Sequence, residues 1–413
     1  MTAVIERTVA GLSTERLGHI DRHLQEKYIE SGKISGALTL VARHGEIAHL
    51  SPLGEMDAER SMPTREDTVY RIYSMSKPIT SVALMTLYEE GRFQLDDPVH
   101  KFIPEWENLG VWVGGAYPNF LTKRPDRPMS IRDLLSHQSG LAYGFQFRNS
   151  VDAAYRELSI INSNGVGVSQ ETLADSVRKL ADVPLLFSPG TQWSYSVSTD
   201  ICGYLVEVIS GKRFDDYLRA RLFGPLGMRE TGFHVPDERI GRFAACYAPT
   251  PQGGRVLQDD PATSAYRTPP TMLSGGGGLT STIHDYFRFA QMLCNRGELD
   301  GVRILSRKTI ELMTRNHLPN GVDLAAVAPP GQFSEVAYNG IGFGLGYSVI
   351  LDLAKAQISG SQGQFAWGGA ASTAFWIDPV EEVVVVFMTQ LLPSSTYPFR
   401  RELQVLVNSA IVD

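Results

Sequence analysis

Strand-like patterns lie near both ends of the chain, and the segment between them is mainly helical in pattern. Residues 36–50 read as a hairpin of two short strands, and the β-rich stretch from Thr68 to Tyr73 follows as a further predicted strand. Near the C-terminus, strand patterns recur at 343–351, 371–377 and 383–389. We predict that Asp378-Pro379 forms the turn of a hairpin between the last two. Because strands need hydrogen-bonded neighbours, this distribution favours one antiparallel sheet assembled from both termini, with a helical region inserted.

Apolar residues at helical spacing predict the helices. An amphipathic helix spans Thr14 to Ile29, and a second one starts at Ser74, is apolar on most sides and meets a capping glycine at Gly91. Ser130 and Asp133 form a capping-box-like start. Further helices are predicted near 170–181, 198–210, 213–222, after Thr282, after Ser306, and from Pro398 to Ile411. The predicted fold class is therefore α/β of the α+β type.

The length of 413 residues exceeds what one small core needs. We predict a discontinuous sheet domain from residues 1–90 and 275–413, and a mainly helical domain from residues 91–274.

Charge and apolar patterning exclude several classes of partner. The formal charge of −7 argues against nucleic acid or an acidic membrane surface, because such binding needs a dense basic patch. No apolar run approaches the length of a membrane span, and Met1 to Arg7 precede no signal-like apolar region. Three cysteines in no C-x-x-C pair suit a reducing compartment. We expect a cytoplasmic protein that needs neither membrane nor nucleic acid.

Ser74-Met75-Ser76-Lys77 places a hydroxyl and an amine three residues apart at a helix start, so both project from one face. A buried lysine with a lowered pKa activates a serine nucleophile. The alternative interpretation is an ordinary helix cap followed by a snorkelling lysine. The spacing alone leaves both open, because Ser176 and Lys179 repeat it on what reads as the polar side of a helix.

Two further segments carry polar or small residues suited to a cleft. Ser194-Tyr195-Ser196 precedes a predicted helix, where the tyrosine borders a cleft or serves as a hydrophobic staple. Trp367-Gly368-Gly369-Ala370 begins the strand that ends at Asp378, and its glycines allow a substrate to approach the backbone. The alternative for this segment is a β-bulge with a core tryptophan.

Taken as a set, Ser74-x-x-Lys77, Tyr195-Ser196 and Trp367-Gly368-Gly369 resemble the family VIII carboxylesterases, relatives of class C β-lactamases and DD-peptidases. The resemblance extends over nearly the whole chain and implies an active site in the cleft between the two domains. It implies that Ser74 is the nucleophile and that Lys77 and Tyr195 share the general base and acid roles. It also implies an oxyanion hole from the backbone N–H groups of Ser74 and Ala370, with Trp367 to Gly369 binding substrate.

The chain departs from the penicillin-recognising pattern at two places. Trp367-Gly368-Gly369 stands where those enzymes have Lys-Thr-Gly, so the cation that pairs with a carboxylate is missing. Tyr195-Ser196-Val197 stands where they have Tyr-x-Asn. Both changes favour neutral short-chain esters as substrates. Acyl transfer with the same acyl-enzyme, and weak β-lactam or peptide hydrolysis, remain alternatives.

No cofactor or metal is expected. Gly275 to Gly278 lack the Gly-Lys-Ser/Thr ending of a phosphate loop and are better read as a tight connection at the cleft. The histidines form no His-Glu-x-x-His pair, and His137 stands where a helix ends, which favours a capping role. A lysine ammonium near the Tyr195 phenol is expected to lower the tyrosine pKa.

Overall fold

The computed structural model describes residues 7–162 and 171–413. The parts of the predicted domains at residues 1–6 and 163–170 lie outside this range. The helices, in chain order, are α1 (Thr14–Leu24), α2 (Ser76–Glu89), α3 (Ile131–Leu135), α4 (Ser150–Glu157), α5 (Leu173–Leu180), α6 (Ser198–Ser210), α7 (Phe214–Leu218), α8 (Gly224–Leu226), α9 (Ile283–Cys294), α10 (Arg307–Met313), α11 (Leu324–Val327), α12 (Leu353–Ala356) and α13 (Phe399–Asn408).

The strands are mostly short, and the longest two lie near the N-terminus. In chain order they are β1 (Thr8–Val9), β2 (Leu12–Ser13), β3 (Gly36–Arg43), β4 (Glu46–Asp57), β5 (Met62–Pro63), β6 (Tyr70–Arg71), β7 (Val111–Ala116), β8 (Asn119–Lys123), β9 (Cys246–Pro249), β10 (Arg255–Asp259), β11 (Thr280–Ser281), β12 (Glu298–Leu299), β13 (Val302–Arg303), β14 (Ile341–Phe343), β15 (Ser348–Ile350), β16 (Phe365–Gly368), β17 (Ala374–Asp378) and β18 (Val383–Met388).

One eight-stranded sheet joins the two ends of the chain, in the order β14-β15-β16-β17-β18-β3-β4-β5. Every neighbouring pair in it is antiparallel. The join is the pairing of β18 with β3, where Val386 lies opposite Leu40. The prediction of an antiparallel sheet built from both termini is therefore confirmed.

Helices cover the sheet on both faces, which explains the unbroken apolar run of β18. Val384, Val386 and Met388 belong to the larger core, which also holds residues of α2 and α9. Val383, Val385 and Phe387 belong to a second core with residues of α1 and α13. Because successive side chains of a strand point to opposite faces, a strand buried on both faces is apolar throughout.

Three predicted strands differ in the structure. Residues 343–351 are not one strand, because Gly346, at φ +103°, turns the chain between β14 and β15. The run from Thr68 to Tyr73 contains only the two residues of β6 as strand. Trp367 does not begin the strand that ends at Asp378: it lies near the end of β16, and a turn separates it from β17.

The segment 91–274 contains α3 to α8 and also two hairpins, β7-β8 and β9-β10. Helix α2 packs against α6, which starts two residues after Ser196. The β9 residue Tyr247 packs in the core shared by α1 and α13, so the β9 strand lies against the sheet. The domain limits stay predictions. Within residues 7–162 and 171–413, no helix is both long and apolar enough to cross a bilayer.

Candidate active site

Ser74 lies in the tight turn Tyr73–Met75 that leads into α2. Tyr73, immediately before it, has φ +42°, a left-handed conformation that is costly for a bulky residue. Such strain persists only where surrounding contacts hold it, and it clusters at active sites. The amide of Ile72 donates to the Leu279 carbonyl, which ties the start of this turn to a neighbouring segment. Ser74 itself is 9% exposed, so a side chain in a buried turn still reaches the surface.

Two proton-carrying groups converge on the Ser74 hydroxyl. The Tyr195 hydroxyl donates to Ser74 Oγ at 2.6 Å, and Lys77 Nζ donates to the same oxygen at 3.1 Å. The three residues come from the α2 start and from the loop before α6, so the packing of α2 on α6 brings them together. The arrangement has the geometry of a nucleophile with two adjacent acid–base groups.

Lys77, near the start of α2, is only 2% exposed and lies in the protein interior. Burial, which disfavours the ammonium, lowers its pKa from 10.5 to about 8, although the charge of Asp200 opposes this. Its Nζ also donates to the Gly276 carbonyl at 2.6 Å. A neutral amine able to accept a proton is therefore populated in mildly alkaline solution. Lys77 is therefore buried, which rules out the alternative of a lysine whose ammonium reaches solvent.

The pKa of Tyr195 moves in the direction opposite to our prediction. Burial, with a contribution from the Glu335 carboxylate, raises the Tyr195 pKa well above 10. The Lys77 ammonium lies over the face of the tyrosine ring, with Nζ 4.6 Å from the centroid. The loss of hydration therefore outweighs the attraction of the cation. Tyr195 is a neutral phenol and a hydrogen-bond donor.

The glycine-rich connection borders the site through Gly276. Asp200, in the first turn of α6, accepts from the Gly276 N–H at 2.9 Å and from Ser274 Oγ at 2.5 Å. A Cβ at position 276 would lie 2.4 Å from Asp200 Oδ2, which explains a glycine there. Asp200 thus holds the backbone N–H of Gly276, the residue whose carbonyl accepts from Lys77. Asp200 was not predicted from the sequence, although an acidic residue in the predicted helix after Tyr195 was a visible signal.

The segment Trp367 to Ala370 lies alongside the nucleophile. The ring of buried Trp367 is 5.5 Å from the Tyr195 ring. Gly369 packs so closely that a Cβ there would lie 2.4 Å from the Ile72 carbonyl oxygen, two residues before Ser74. Ala370 follows in the turn between β16 and β17 and is half-buried. The structure thus puts this segment against the strained turn that carries Ser74.

Aromatic rings line the space next to Tyr195. Tyr143 lies 5.3 Å from Tyr195 and 4.8 Å from Phe145, measured between centroids. Phe333 lies 5.9 Å from both Tyr195 and Phe145. Together these rings form an aromatic wall, which reaches the surface at Phe145, a residue that is 37% exposed. This wall favours an uncharged group beside the nucleophile.

His137 supports the site without taking part in a triad. Burial lowers its pKa well below 6.5, so the ring is neutral. Its Nδ1 lies 3.2 Å from Ser196 Oγ, and the ring packs edge-on against Tyr195 at 5.1 Å. The residue follows α3 with φ +56°, where the helix has ended. Among the described residues, no group of three or more His, Cys, Asp or Glu side chains could hold a metal ion.

The second Ser-x-x-Lys copy is arranged differently. Ser176 is fully buried on the packed side of α5, which corrects the expectation that it lies on the polar side. Lys179 points away to an ion pair with Glu171 and donates to the Leu158 carbonyl. Lys179 therefore does not bond to Ser176, whose buried hydroxyl has no hydrogen-bond partner among the described residues, whereas Lys77 donates to Ser74 Oγ.

Comparison with known proteins adds a family and several relatives. The family described as Beta-lactamase matches residues 20–409. Protein Rv1367c of Mycobacterium tuberculosis is 33% identical over 367 residues, which cover 88% of each chain. Esterase EstB of Burkholderia gladioli is 30% identical over 386 residues, covering 89% of this chain and 88% of EstB. The solved structure of EstCE1, a hydrolase with promiscuous acyltransferase activity, has a TM-score of 0.79 at 26% identity, covering 97% of this chain and 99% of EstCE1.

Proposed function

Because the chain belongs to the beta-lactamase family and is a carboxylesterase-like serine hydrolase with that fold, we propose that it hydrolyses small esters of short-chain neutral acids through an acyl-enzyme on Ser74. The observation that carries the proposal is the convergence of Lys77 Nζ and the Tyr195 hydroxyl on Ser74 Oγ, at 3.1 and 2.6 Å. The coarser class, a serine ester hydrolase or acyltransferase, follows from the relatives.

The pKa directions assign different roles to the two neighbours of Ser74. Neutral Lys77, populated near its pKa of about 8, removes the Ser74 proton as Oγ attacks the ester carbonyl carbon. Tyr195, whose pKa lies well above 10, stays a phenol and donates its proton to the leaving alcohol oxygen as the C–O bond breaks. The ammonium of Lys77 then returns a proton to the phenolate. Water attacks the acyl carbon in the second half of the cycle, with the same groups in reverse order.

The backbone N–H groups of Ser74 and Ala370 are the proposed oxyanion hole. Gly369 supports this role because its close packing on the Ile72 carbonyl holds Ala370 next to the turn that carries Ser74. Donors fixed in this way stabilise the charge on the tetrahedral intermediate without reorganisation.

The lining supports a neutral acyl group. Tyr143, Phe145 and Phe333 surround Tyr195 with apolar ring surface. Trp367 stands where a lysine would pair with a substrate carboxylate, and it is buried against Tyr195. A carboxylate bound there would lose its hydration without gaining a partner cation, which is unfavourable.

Removal of the nucleophile tests the proposal. Ser74→Ala should abolish hydrolysis of p-nitrophenyl acetate, while Ser176→Ala, in the second Ser-x-x-Lys copy, should leave it unchanged. Mass spectrometry of the quenched wild-type enzyme should place the acyl group on the peptide that contains Ser74. Wild-type turnover by Ser74→Ala would show that the nucleophile is another residue.

Acyl transfer is the second candidate, favoured by the likeness to EstCE1. It uses the same acyl-enzyme and differs in whether an alcohol or water accepts the acyl group. Product analysis with an added alcohol separates the two: a new ester that increases at the expense of free acid identifies transfer. Comparison of nitrocefin with p-nitrophenyl acetate tests the β-lactamase alternative, and we expect faster turnover of the ester.

A further inference from the structure

The guanidinium of Arg400, on α13, lies directly behind the Trp367–Ala370 segment. Its Nη2 donates to the Gly369 carbonyl at 3.0 Å and to the Thr373 carbonyl at 2.8 Å. Its Nη1 lies 2.8 Å from Glu335 Oε2, in an ion pair whose carboxylate side chain is almost fully buried. The guanidinium thus joins both ends of the turn between β16 and β17 and is itself held in place.

The Gly369 carbonyl belongs to the peptide unit whose N–H is that of Ala370. In a planar trans peptide the C=O and N–H bonds point in opposite directions. A cation that fixes the carbonyl oxygen on one side of the strand therefore fixes the direction of the N–H on the other side. It also polarises the amide, which makes the N–H a stronger donor.

We propose that Arg400 is a positioning residue for the oxyanion hole, and that it acts by holding and polarising the Gly369–Ala370 peptide. The inference rests on the proposed function, because it assigns a role to the Ala370 N–H in ester hydrolysis. Arg400 touches neither Ser74 nor the acid–base pair in this arrangement; its effect reaches the reaction through one peptide unit.

Gly368 gives independent support for this arrangement. A Cβ at position 368 would lie 2.2 Å from Cζ of Arg400, so the guanidinium occupies the space that any other residue would fill. The two positions of the Trp-Gly-Gly sequence therefore require glycine for different reasons. Gly368 makes room for Arg400 behind the strand, and Gly369 allows contact with the Ile72 carbonyl in front of it.

Arg401 offers a matched control, because it is the next residue on α13. It is exposed and donates to the Gln357 carbonyl at 2.7 Å, which lies outside the β16–β17 turn. Arg401→Ala removes the same charge from the same helix and should retain wild-type kinetics. Arg400→Ala should lower kcat for p-nitrophenyl acetate by about tenfold to hundredfold, less than the loss of a whole oxyanion donor, with KM within about twofold of wild type.

Two further measurements separate positioning from general stability. Gly368→Ala, which displaces the guanidinium, should lower kcat by a similar factor, and the double variant Gly368→Ala/Arg400→Ala should be no worse than Arg400→Ala alone. Added guanidinium ion at non-denaturing concentration should restore part of the kcat of Arg400→Ala and leave Arg401→Ala unchanged. If Arg400→Ala does not fold, Gly368→Ala carries the test by itself.

The outcomes distinguish the two proposals. An active Ser74→Ala variant overturns the proposed function. An inactive Ser74→Ala together with wild-type kcat in Arg400→Ala or Gly368→Ala overturns the role of Arg400 alone. Where Arg400→Ala does fold, a fall in its kcat that only matches a partial loss of folded protein by circular dichroism, and that guanidinium does not restore, also overturns it.

Discussion

Lys77→Met should remove activity and, at the same time, remove a pH dependence from the stability of the protein. In the folded state burial holds the pKa of Lys77 at about 8, whereas the unfolded chain has the ordinary value of 10.5. This difference corresponds to about 3 kcal/mol of unfavourable free energy for burying the ammonium, fully present below pH 8. Methionine fills similar space without a charge.

The sign follows from proton binding. Between pH 8 and 10.5 the unfolded state binds more protons at this site than the folded state, so the free energy of unfolding rises with pH. The contribution of Lys77 should increase by about 2–3 kcal/mol from pH 7 to pH 10. Other groups also titrate there, but the difference between wild type and Lys77→Met cancels them. At pH 7 the gain from removing the charge is offset by the unpaired Gly276 carbonyl, which costs about 1–3 kcal/mol.

Urea unfolding of both proteins, followed by circular dichroism at four pH values from 7 to 10, measures this difference. The wild type should gain stability relative to Lys77→Met as the pH rises. In parallel, kcat/KM of the wild type should rise with pH through about 8 if neutral Lys77 is the base, as proposed. Lys179→Met, which removes the lysine of the second Ser-x-x-Lys copy, should leave ester hydrolysis unchanged.

A stability difference that stays constant from pH 7 to pH 10 would refute the lowered pKa. An activity profile flat through pH 8, together with a changing stability difference, would instead show that Lys77 is desolvated but is not the base.

Three further predictions follow from the site. Tyr195→Phe should lower kcat/KM for an alkyl ester much more than for p-nitrophenyl acetate, because p-nitrophenolate leaves without a proton; equal losses would contradict the acid role. Gly369→Ala should lower kcat at least about tenfold, since its Cβ would meet the Ile72 carbonyl at 2.4 Å. Its control, Gly18→Ala, has no heavy atom within 4 Å of the added carbon and should leave kcat unchanged. Asp200→Asn should shift the rise of kcat/KM to lower pH, because the Asp200 charge favours the Lys77 ammonium; a shift to higher pH would contradict this.

The large-scale arrangement was predictable from patterns in the sequence. The hairpin at 36–50, the hairpin at β17-β18 and the helices beginning after Thr282 and Ser306 all occur in the structure. They were predictable because period-2 patterns, turn residues and N-caps act over a few residues. The strand predictions were wrong where long-range contacts determine the local backbone. The division of 343–351 at Gly346 and the turn after Gly368 depend on what packs against the chain there.

For the site, the sequence alone pointed to the three groups that meet in the structure: the hydroxyl of Ser74, the amine of Lys77 and the phenol of Tyr195. The spacing alone could not distinguish Ser74 from Ser176, because it gives one lysine that donates to its serine, Lys77, and one that pairs with Glu171 instead, Lys179. The sequence also led to the wrong direction for the pKa of Tyr195 and did not reveal Asp200 or Arg400. These features depend on how the chain packs. Burial and the distance to a charge set the pKa of Tyr195, and Arg400 meets the Gly369 carbonyl although the two residues are 31 positions apart. Electrostatic energies depend on those distances and on hydration, so only the tertiary structure decided how the residues act.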